Sequence, residues 1–265
     1  MKELQSINAI TAPAAPVFPP VPLGGAVRIG QKAMPGSFLG IVMLDTLFPR
    51  PMGDIGNPES FTVPTRKVMV QGAFPEKVVQ TAAGLRADRI AVGFAATVRQ
   101  LERDGAAAII TSCGFLVLLQ KELQAAVKVP VVTSSLLQLP QLLASHRQVG
   151  VLTICAQRLG SEYLRAAGVP RERLADVVLR GVDPKGEFAT AILGNKPEMD
   201  LEKAQAEVVA AAVALKRRAP TLSNVVLECT NMPPYAAQID EATGMKTFSL
   251  LQPKVLLQSF EKVAG

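Results

Sequence analysis

Aromatic residues and histidine are scarce in this sequence of 265 residues, which has no tryptophan, two tyrosines and one histidine. Proteins that bind nucleic acid commonly stack bases on aromatic rings and cluster lysine and arginine on one element. Here the formal net charge of +6 is spread along the chain, and the densest basic group, residues 216–218, is typical of a helix C-terminus. The composition predicts no nucleic-acid partner and is compatible with attraction of small anions.

Long apolar runs, paired cysteines and a secretory signal are missing as well. No apolar run reaches the roughly 18 residues of a membrane span, so we expect no membrane partner. Residues 1–35 are rich in proline and lack the compact apolar segment of a signal peptide, which favours an extended N-terminal segment. Three cysteines without a Cys-x-x-Cys pair indicate neither a disulfide framework nor a zinc site. We therefore predict a reducing, cytoplasmic environment.

The rest of the chain alternates short apolar stretches, typical of buried strands, with stretches that are typical of helices. Predicted strands cover residues 37–44, 66–73, 106–112, 129–135, 148–154, 174–182, 224–228 and 246–251, and the last predicted helix covers residues 255–263. Strands that are apolar on both faces and are followed by helices predict an α/β fold with parallel sheets. In such folds, ligands bind beyond the carboxyl ends of the strands.

Two cysteines occupy matching places at that edge. Cys113 lies in AIITSCGFLVLL, residues 108–119, and Cys229 lies in VVLECTNMPPY, residues 225–235. Each follows a predicted strand and precedes a predicted helix, whose unpaired N–H groups and positive partial charge lower the pKa of a thiol. A lone cysteine is more often a packing residue. Two in matching contexts favour a catalytic role.

Two other reactive side chains have no such counterpart. Cys155 follows another predicted strand, and its place is equally compatible with packing and with lining the site. The single histidine, His146, lies at the end of a predicted helix, where a cation interacts favourably with the helix dipole. We therefore expect the thiols, and not an imidazole, to carry the chemistry.

The segments around Cys113 and Cys229 resemble the paired cysteine motifs of the aspartate/glutamate racemase superfamily, which includes hydantoin racemases, maleate isomerases and arylmalonate decarboxylases. The resemblance implies two pseudo-symmetric α/β lobes, each a parallel sheet flanked by helices, with no cofactor. It also implies an active site in the cleft between the lobes, with Cys113 and Cys229 as the catalytic residues. We expect residues 36–135 and 246–265 to form the first lobe and residues 136–245 the second.

Three positions depart from the amino-acid racemases of that superfamily. Their first cysteine is commonly followed by Asn and Thr, where this chain has Gly114 and Phe115. Their second cysteine is often followed two places later by His, where this chain has Asn231. Gly114 is similar to the decarboxylase branch, but that branch lacks the second cysteine. These departures predict a substrate other than glutamate.

A substrate carboxylate needs fixed hydrogen-bond donors, because negative charge develops on it during reaction. The candidates are polar groups at the predicted strand ends and in the first long loop, namely Asn57, Ser112, Gly114, Thr133, Ser134, Thr153, Thr230 and Asn231. For each Ser or Thr, capping of a helix is an equal alternative. Asp45, at the end of the first predicted strand, could position a substrate ammonium group or cap the loop.

Two facing thiols favour proton transfer at a carbon next to a carboxylate, with one thiolate removing the α-proton and the other thiol delivering a proton to the opposite face. With each sulfur about 3.5 Å from that carbon, the sulfurs would lie roughly 7 Å apart, too far for a disulfide. The sequence thus predicts a cofactor-independent racemase or epimerase of a small carboxylate, such as an amino acid.

Two alternatives stay open at this point. One is a maleate-type cis-trans isomerase, in which a cysteine adds to a double bond. The other is a carboxylate-binding protein without turnover, although binding alone would tolerate loss of the two cysteines. No metal-ligand cluster or Schiff-base lysine motif is visible, so we expect no cofactor and no metal. The sequence is compatible with a homo-oligomer.

Overall fold

A computed structural model describes residues 38–87 and 90–251. The proline-rich segment 1–35 and the helix predicted at residues 255–263 lie outside the described residues. Within the described ranges, the strands are Phe38–Met43 (β1), Thr65–Met69 (β2), Ala106–Thr111 (β3), Val131–Val132 (β4), Val149–Thr153 (β5), Val177–Gly181 (β6), Asn224–Leu227 (β7) and Lys246–Phe248 (β8).

The strands form two four-stranded sheets with the same internal order. The first sheet has the order β2-β1-β3-β4 and the second has the order β6-β5-β7-β8. All neighbouring strands are parallel. The third strand of each lobe therefore lies beside its first strand at the centre of the sheet. This repetition confirms the predicted α/β fold with two related lobes.

Helices connect these strands and cover the sheets. They are Pro75–Val78 (α1), Ala82–Ala87 (α2), Ile90–Arg103 (α3), Gln120–Ala125 (α4), Leu139–Ser145 (α5), Ser161–Ala166 (α6), Glu187–Leu193 (α7), Leu201–Arg218 (α8) and Ala236–Thr243 (α9). The helix predicted directly after Cys113 starts instead as a 3-10 turn, Gly114–Leu119, in which nearly every side chain is buried. A second 3-10 turn, Pro233–Tyr235, precedes α9.

Apolar side chains fill both faces of the central strands, as expected for parallel sheets covered by helices. Every residue of β1 and of β5 is buried. One large apolar cluster runs through both lobes and includes Ile109, Val151 and Val226. A smaller cluster covers the other face of the first sheet. Burial of this much apolar surface fixes the two lobes against each other.

The C-terminal boundary of the second lobe differs from our prediction. We expected residues 246–265 to belong to the first lobe, but β8 pairs in parallel register with β7 of the second sheet. The chain returns to the first lobe only after β8, where Leu250 packs with Leu39 and Ile41 of β1. The backbone hydrogen bonds of β8 to β7 complete the second sheet, and this pairing decides to which lobe β8 belongs. Residues 252–265 lie outside the described residues.

Candidate active site

The two cysteines occupy equivalent positions in the two lobes. Cys113 follows β3 and Cys229 follows β7, each after the third strand of its own sheet. Both are free thiols with 7% of their surface exposed. Because the carboxyl ends of the two sheets meet, both thiols line one cavity. The structure thus brings together the two residues that the sequence singled out.

The cavity is narrow, with about 20 Å³ open to the centre of a water molecule. Its apolar wall includes Leu44, Phe48, Val79, Phe115, Ile154 and Ile192, and its polar groups include Ser112, Gly114, Glu228, Thr230 and Asn231. Protein atoms of low dielectric surround most of this space, which strengthens electrostatic interactions inside it. The site is therefore a small, mostly apolar pocket with a few polar groups.

Hydrogen bonds between the lobes hold the two strand ends together. The Thr230 hydroxyl donates to the main-chain oxygen of Ser112 over 2.7 Å. Within the first lobe, the Ser112 hydroxyl oxygen accepts the N–H of Leu44 over 2.9 Å. The Ser135 hydroxyl donates to the main-chain oxygen of Leu227 over 2.6 Å. All of these groups are buried, so breaking any of them would leave an unpaired polar atom in the core.

Cys113 has surroundings that act on its pKa in opposite directions. Burial raises the pKa of the thiol well above its ordinary value, and the nearby Glu228 carboxyl raises it further. The backbone N–H groups of Phe115 and Leu116, at the start of the 3-10 turn, lower the pKa. We expected the helix start to activate the thiol, but burial outweighs it. The raised pKa therefore favours the neutral thiol form of Cys113.

Cys229 is tied to a chain of buried polar groups. Its Sγ lies 3.6 Å from Oδ1 of Asn231, and Nδ2 of Asn231 donates to Oδ2 of Asp54 over 2.6 Å. Asp54 also accepts from Arg50 over 2.7 Å. This fixes the amide so that its oxygen faces the sulfur. Burial, Glu228 and, more weakly, Cys113 and Asp54 raise the pKa of Cys229, while the N–H of Asn231 lowers it. Cys229 is held as a thiol donor.

Glu228 is the site residue that sequence reasoning missed. It is 1% exposed and lies directly before Cys229. Its Oε2 accepts the hydroxyl of Thr153 over 2.7 Å, and its Oε1 has no hydrogen-bond partner. Burial raises the pKa of this carboxyl to about 8, against the smaller opposing effect of Thr153. The available signal was a lone acidic residue at the end of the strand predicted at residues 224–228.

The candidate substrate-binding residues divide into two groups. Ser112, Gly114, Thr230 and Asn231 line the cavity, as expected. Asn57 caps a 3-10 turn by accepting the N–H of Glu59, and Ser134 caps the next turn by accepting the N–H of Leu136. Capping, the alternative for such residues, is therefore what these two side chains do. Asn57 and Ser134 are not among the residues that line the cavity.

Three further candidates also lie outside the lining of the cavity. Thr133 bonds through its hydroxyl to Gln120, 2.7 Å away. Thr153 reaches the site only through Glu228. The Asp45 carboxylate accepts the N–H of Gly72, so it caps its loop and does not face a substrate. The side chains of these three residues thus have hydrogen-bond partners within the protein: Gln120 for Thr133, Glu228 for Thr153 and the N–H of Gly72 for Asp45.

The remaining reactive residues lie apart from the cavity. Cys155 is half-buried and packs at the edge of the large apolar cluster, so packing is its observed role. His146 follows α5, and its Nδ1 lies 2.9 Å from the main-chain oxygen of Leu142. Across the described part of the chain, no three His, Cys, Asp or Glu side chains are grouped to hold a metal ion. No helix in residues 38–87 or 90–251 is long and apolar enough to span a membrane.

Two parallel-sheet lobes with a thiol from each at a shared cavity define a class of two-cysteine α/β enzymes. The sequence profile of the Asp/Glu/hydantoin racemase family matches residues 75–252, and the chain belongs to this family. Among solved structures, allantoin racemase from Klebsiella pneumoniae has a TM-score of 0.58 at 13% identity, covering 86% of this chain and 89% of that one. A Gly74Cys mutant of arylmalonate decarboxylase has a TM-score of 0.56 at 18% identity, covering 86% and 94%.

The relatives of this chain that have an assigned activity are lyases, whereas the sequence predicts a racemase or epimerase. A dimethylsulfoniopropionate lyase of Durusdinium sp. clade D is 29% identical over 220 residues, which cover 80% of this chain and 71% of the relative. Dimethylsulfoniopropionate lyase 7 of Emiliania huxleyi is 26% identical over 223 residues, covering 80% of this chain. This chain spans 64% of the length of that second relative. The family is thus established by the profile, and the reaction is a separate question.

Proposed function

We propose that this protein is a cofactor-independent lyase that acts on a small carboxylate with a sulfonium group on its β-carbon, of the dimethylsulfoniopropionate type. The observation that carries the proposal is the pair of thiols at one small cavity, which is suited to removing a proton next to a carboxylate. The sulfonium substrate is supported by the activity named for the relatives. A lyase therefore takes the place of the racemase that the sequence alone favoured.

The reaction can be written with Cys113 as the base. Its thiolate takes the α-proton, the electron pair of that C–H bond forms the new C=C bond, and the C–S bond breaks with its pair going to sulfur. Dimethyl sulfide and acrylate leave, and Cys113 returns its proton to solvent. Cys113 suits this role because two N–H groups stabilise its thiolate, whereas the sulfur of Cys229 faces an amide oxygen.

The sulfonium group of the substrate would also help to ionise the base. Burial and Glu228 raise the pKa values of both thiols and so favour their neutral forms. A sulfonium ion brings a positive charge into this low-dielectric space and lowers the pKa of a thiol near it. Binding of the substrate would thus activate Cys113 at the moment when it is needed. An uncharged β-substituent would not have this effect.

The lining of the cavity supports a substrate without an amino group. Asp45, the expected partner of a substrate ammonium, is engaged with Gly72 outside the cavity. Among the described lining residues, Glu228 is the only carboxyl group, and its raised pKa keeps it neutral at about pH 7. Apolar side chains such as Ile154 and Ile192 offer contacts to S-methyl groups.

Racemisation is the second candidate, and one observation favours it. Cys229 occupies the equivalent of the Cys113 position in the other lobe and is held as a thiol, as a proton donor to the opposite face of a carbanion would be. Elimination needs one base, whereas racemisation needs both thiols. The two reactions therefore differ in how much they depend on Cys229.

The test is to incubate the purified protein with dimethylsulfoniopropionate and to measure dimethyl sulfide by gas chromatography and acrylate by liquid chromatography. We expect both products in equal amounts, with loss of activity in Cys113→Ser. Cys155→Ser is the matched control, because Cys155 lies outside the cavity. Aspartate, glutamate, hydantoins and maleate are assayed in parallel for α-proton exchange in D₂O and for isomerisation. Turnover of one of these without release of dimethyl sulfide would contradict the lyase proposal.

A further inference from the structure

The buried carboxyl of Glu228 lines the cavity and acts electrostatically on both thiols, and only one of its oxygens is paired. Thr153 accepts the N–H of Cys155 with its hydroxyl oxygen over 3.3 Å and donates its hydroxyl proton to Oε2 over 2.7 Å. Oε2 is therefore an acceptor. Oε1, which belongs to a residue lining the cavity, has no partner. A buried oxygen without a partner is costly unless a ligand satisfies it.

Because Gly114 has no side chain, the space beside its Cα is available to Oε1 of Glu228. A Cβ at residue 114 would collide with the main-chain oxygen of Glu228 and with its Oε1. The glycine that departs from the amino-acid racemases thus has a physical reason, because the carboxyl of Glu228 takes the place of a side chain there. The two positions are complementary, although 114 residues separate them along the chain.

The charges around Glu228 favour its neutral form. None of the ion pairs among the described residues includes it. The titratable groups that face it are the thiols of Cys113 and Cys229, from the two strand ends, and the phenol of Tyr163 on α6. Each of these becomes an anion when it loses a proton, so none brings a positive charge that would favour the carboxylate. With Oε2 accepting from Thr153, the acid proton belongs on Oε1.

We propose that Glu228 is a catalytic residue that works as a neutral carboxylic acid, donating a hydrogen bond from Oε1 to the carboxylate of the bound substrate. The inference deepens the proposed function and rests on it for the reaction. As the α-proton leaves, negative charge moves onto the substrate carboxylate. A fixed O–H donor in a low-dielectric cavity stabilises that charge more than it stabilises the ground state. No proton needs to be transferred from Glu228.

This role predicts an unusual order of variants. Glu228→Gln keeps a neutral donor of the same shape, so its activity should stay within about tenfold of the wild type. Glu228→Leu fills a similar volume but removes the donor, and it should lose about 100-fold or more. Glu102→Gln is the matched control, because Glu102 only accepts the N–H groups of Lys128 and Val129 at the surface. If folded Glu228→Gln were inactive, Glu228 would act as an anion and the proposal would be overturned.

Binding of a simple carboxylate tests the role without any turnover. Propanoate is titrated into the wild type and each variant while heat is measured by calorimetry. We expect wild-type affinity to fall as the pH rises through about 8, where Glu228 ionises and repels the ligand. Glu228→Gln should bind propanoate without that fall, and Glu228→Leu should bind more weakly throughout. Equal affinity of wild type and Glu228→Leu would overturn the proposal.

The protonation state can be observed directly by infrared spectroscopy. The spectrum of the wild type minus that of Glu228→Gln should contain the C=O band of a protonated carboxyl at about pH 7. That band should fade as the pH passes about 8. Absence of the band at about pH 6 would overturn the assignment even if the leucine variant fails to fold.

The outcomes for this residue and for the reaction can be told apart. Binding of propanoate can show the expected dependence on pH and on the Glu228 variants while dimethylsulfoniopropionate releases no dimethyl sulfide. In that case the lyase proposal fails and the role of Glu228 in carboxylate binding stands. If dimethyl sulfide is released but Glu228→Leu is as active as the wild type, the role of Glu228 fails and the lyase proposal stands.

Discussion

The two strand ends that meet in the cavity have the same backbone position but different chemistry. In the first lobe the cysteine lies between Ser112 and Gly114, and in the second it lies between Glu228 and Thr230. The Thr230 hydroxyl joins the lobes by donating to the main-chain oxygen of Ser112, whereas the Ser112 hydroxyl accepts the N–H of Leu44 within the first lobe. Gly114 and Glu228 fit each other, because the missing side chain of one makes room for the carboxyl of the other. A symmetric fold thus holds an asymmetric site.

The difference extends to the two thiols. Cys113 faces two backbone N–H groups, which favour its thiolate. Cys229 faces one backbone N–H, that of Asn231, together with the side-chain oxygen of Asn231, which is locked by Asp54 and favours the thiol. This comparison teaches that equivalent positions in related lobes need not have equivalent roles. The site would suit a reaction that needs one base and fixed donors better than one that treats the two faces of a substrate alike.

The largest expected effect concerns the two cysteines. Cys113→Ser should lower elimination by about 10³-fold, since a hydroxyl is far too weakly acidic to supply the base. Cys229→Ser should lower it by about tenfold, because a serine hydroxyl still donates a hydrogen bond. Steady-state release of dimethyl sulfide measures both, with Cys155→Ser as control. Equal losses in the two variants would show that the thiols act as a symmetric pair, as in a racemase.

The next effect tests the fit between Gly114 and Glu228. Gly114→Ala should lower the free energy of unfolding by about 3 kcal/mol, because its Cβ would collide with Glu228 in a packed core. Thr230→Ala, after the other cysteine, should cost about 1 kcal/mol through the lost bond to Ser112. Urea unfolding followed by circular dichroism measures the difference. An equally mild effect of both substitutions would contradict the predicted fit.

The pH dependence of stability distinguishes Glu228 from its counterpart Ser112. The unfolded chain releases the glutamate proton near 4.5, whereas the folded chain keeps it up to about 8. Between these values the folded state binds more protons, so its stability falls with rising pH by up to about 1.4 kcal/mol per unit. Below and above this window the contribution is constant.

Urea unfolding across that window measures this slope. Subtracting the curve of Glu228→Gln from that of the wild type isolates the contribution of the carboxyl, and Ser112→Ala should keep the wild-type slope. A difference curve that is flat from about pH 5 to about pH 8 would mean that Glu228 is already ionised in the folded protein.

A smaller effect is expected at Asn231. Asn231→His places an imidazole beside Cys229, so the pH–rate profile should gain an inflection near pH 6.5 that the wild type lacks, with the rate changed by less than about tenfold. pH–rate profiles measured with glutamate test whether this amino acid is a substrate. Efficient glutamate racemisation by the wild type would show that the departure at Asn231 does not exclude amino-acid substrates.

Removal of metal ions should have no effect. Both thiols and Glu228 are proposed to work as acids, bases and hydrogen-bond donors, and the sequence has a single histidine and no Cys-x-x-Cys pair. Dialysis against a chelator should therefore leave the rate of elimination unchanged. A loss of rate that is restored by added zinc or magnesium would show that the reaction needs a metal ion and would contradict this prediction.

The α/β fold, the two lobes and the two cysteines were predictable from the amino-acid sequence. Apolar strands followed by helices leave few arrangements other than parallel sheets, and the cysteine motifs lie at strand ends where such sheets bind ligands. Both are local patterns that depend on the order of neighbouring residues. The strand at 246–248 was assigned to the wrong lobe, because the choice of a pairing partner depends on distant residues.

The role of each polar group was decided by the tertiary structure. Asn57, Ser134 and Asp45 looked like site residues, but their side chains satisfy nearby backbone N–H groups. Glu228 looked like the end of a strand, but folding buries it against Gly114 and beside both thiols. A side chain's protonation state depends on which distant groups share its low-dielectric surroundings, and only the packing of the two lobes brings those groups together.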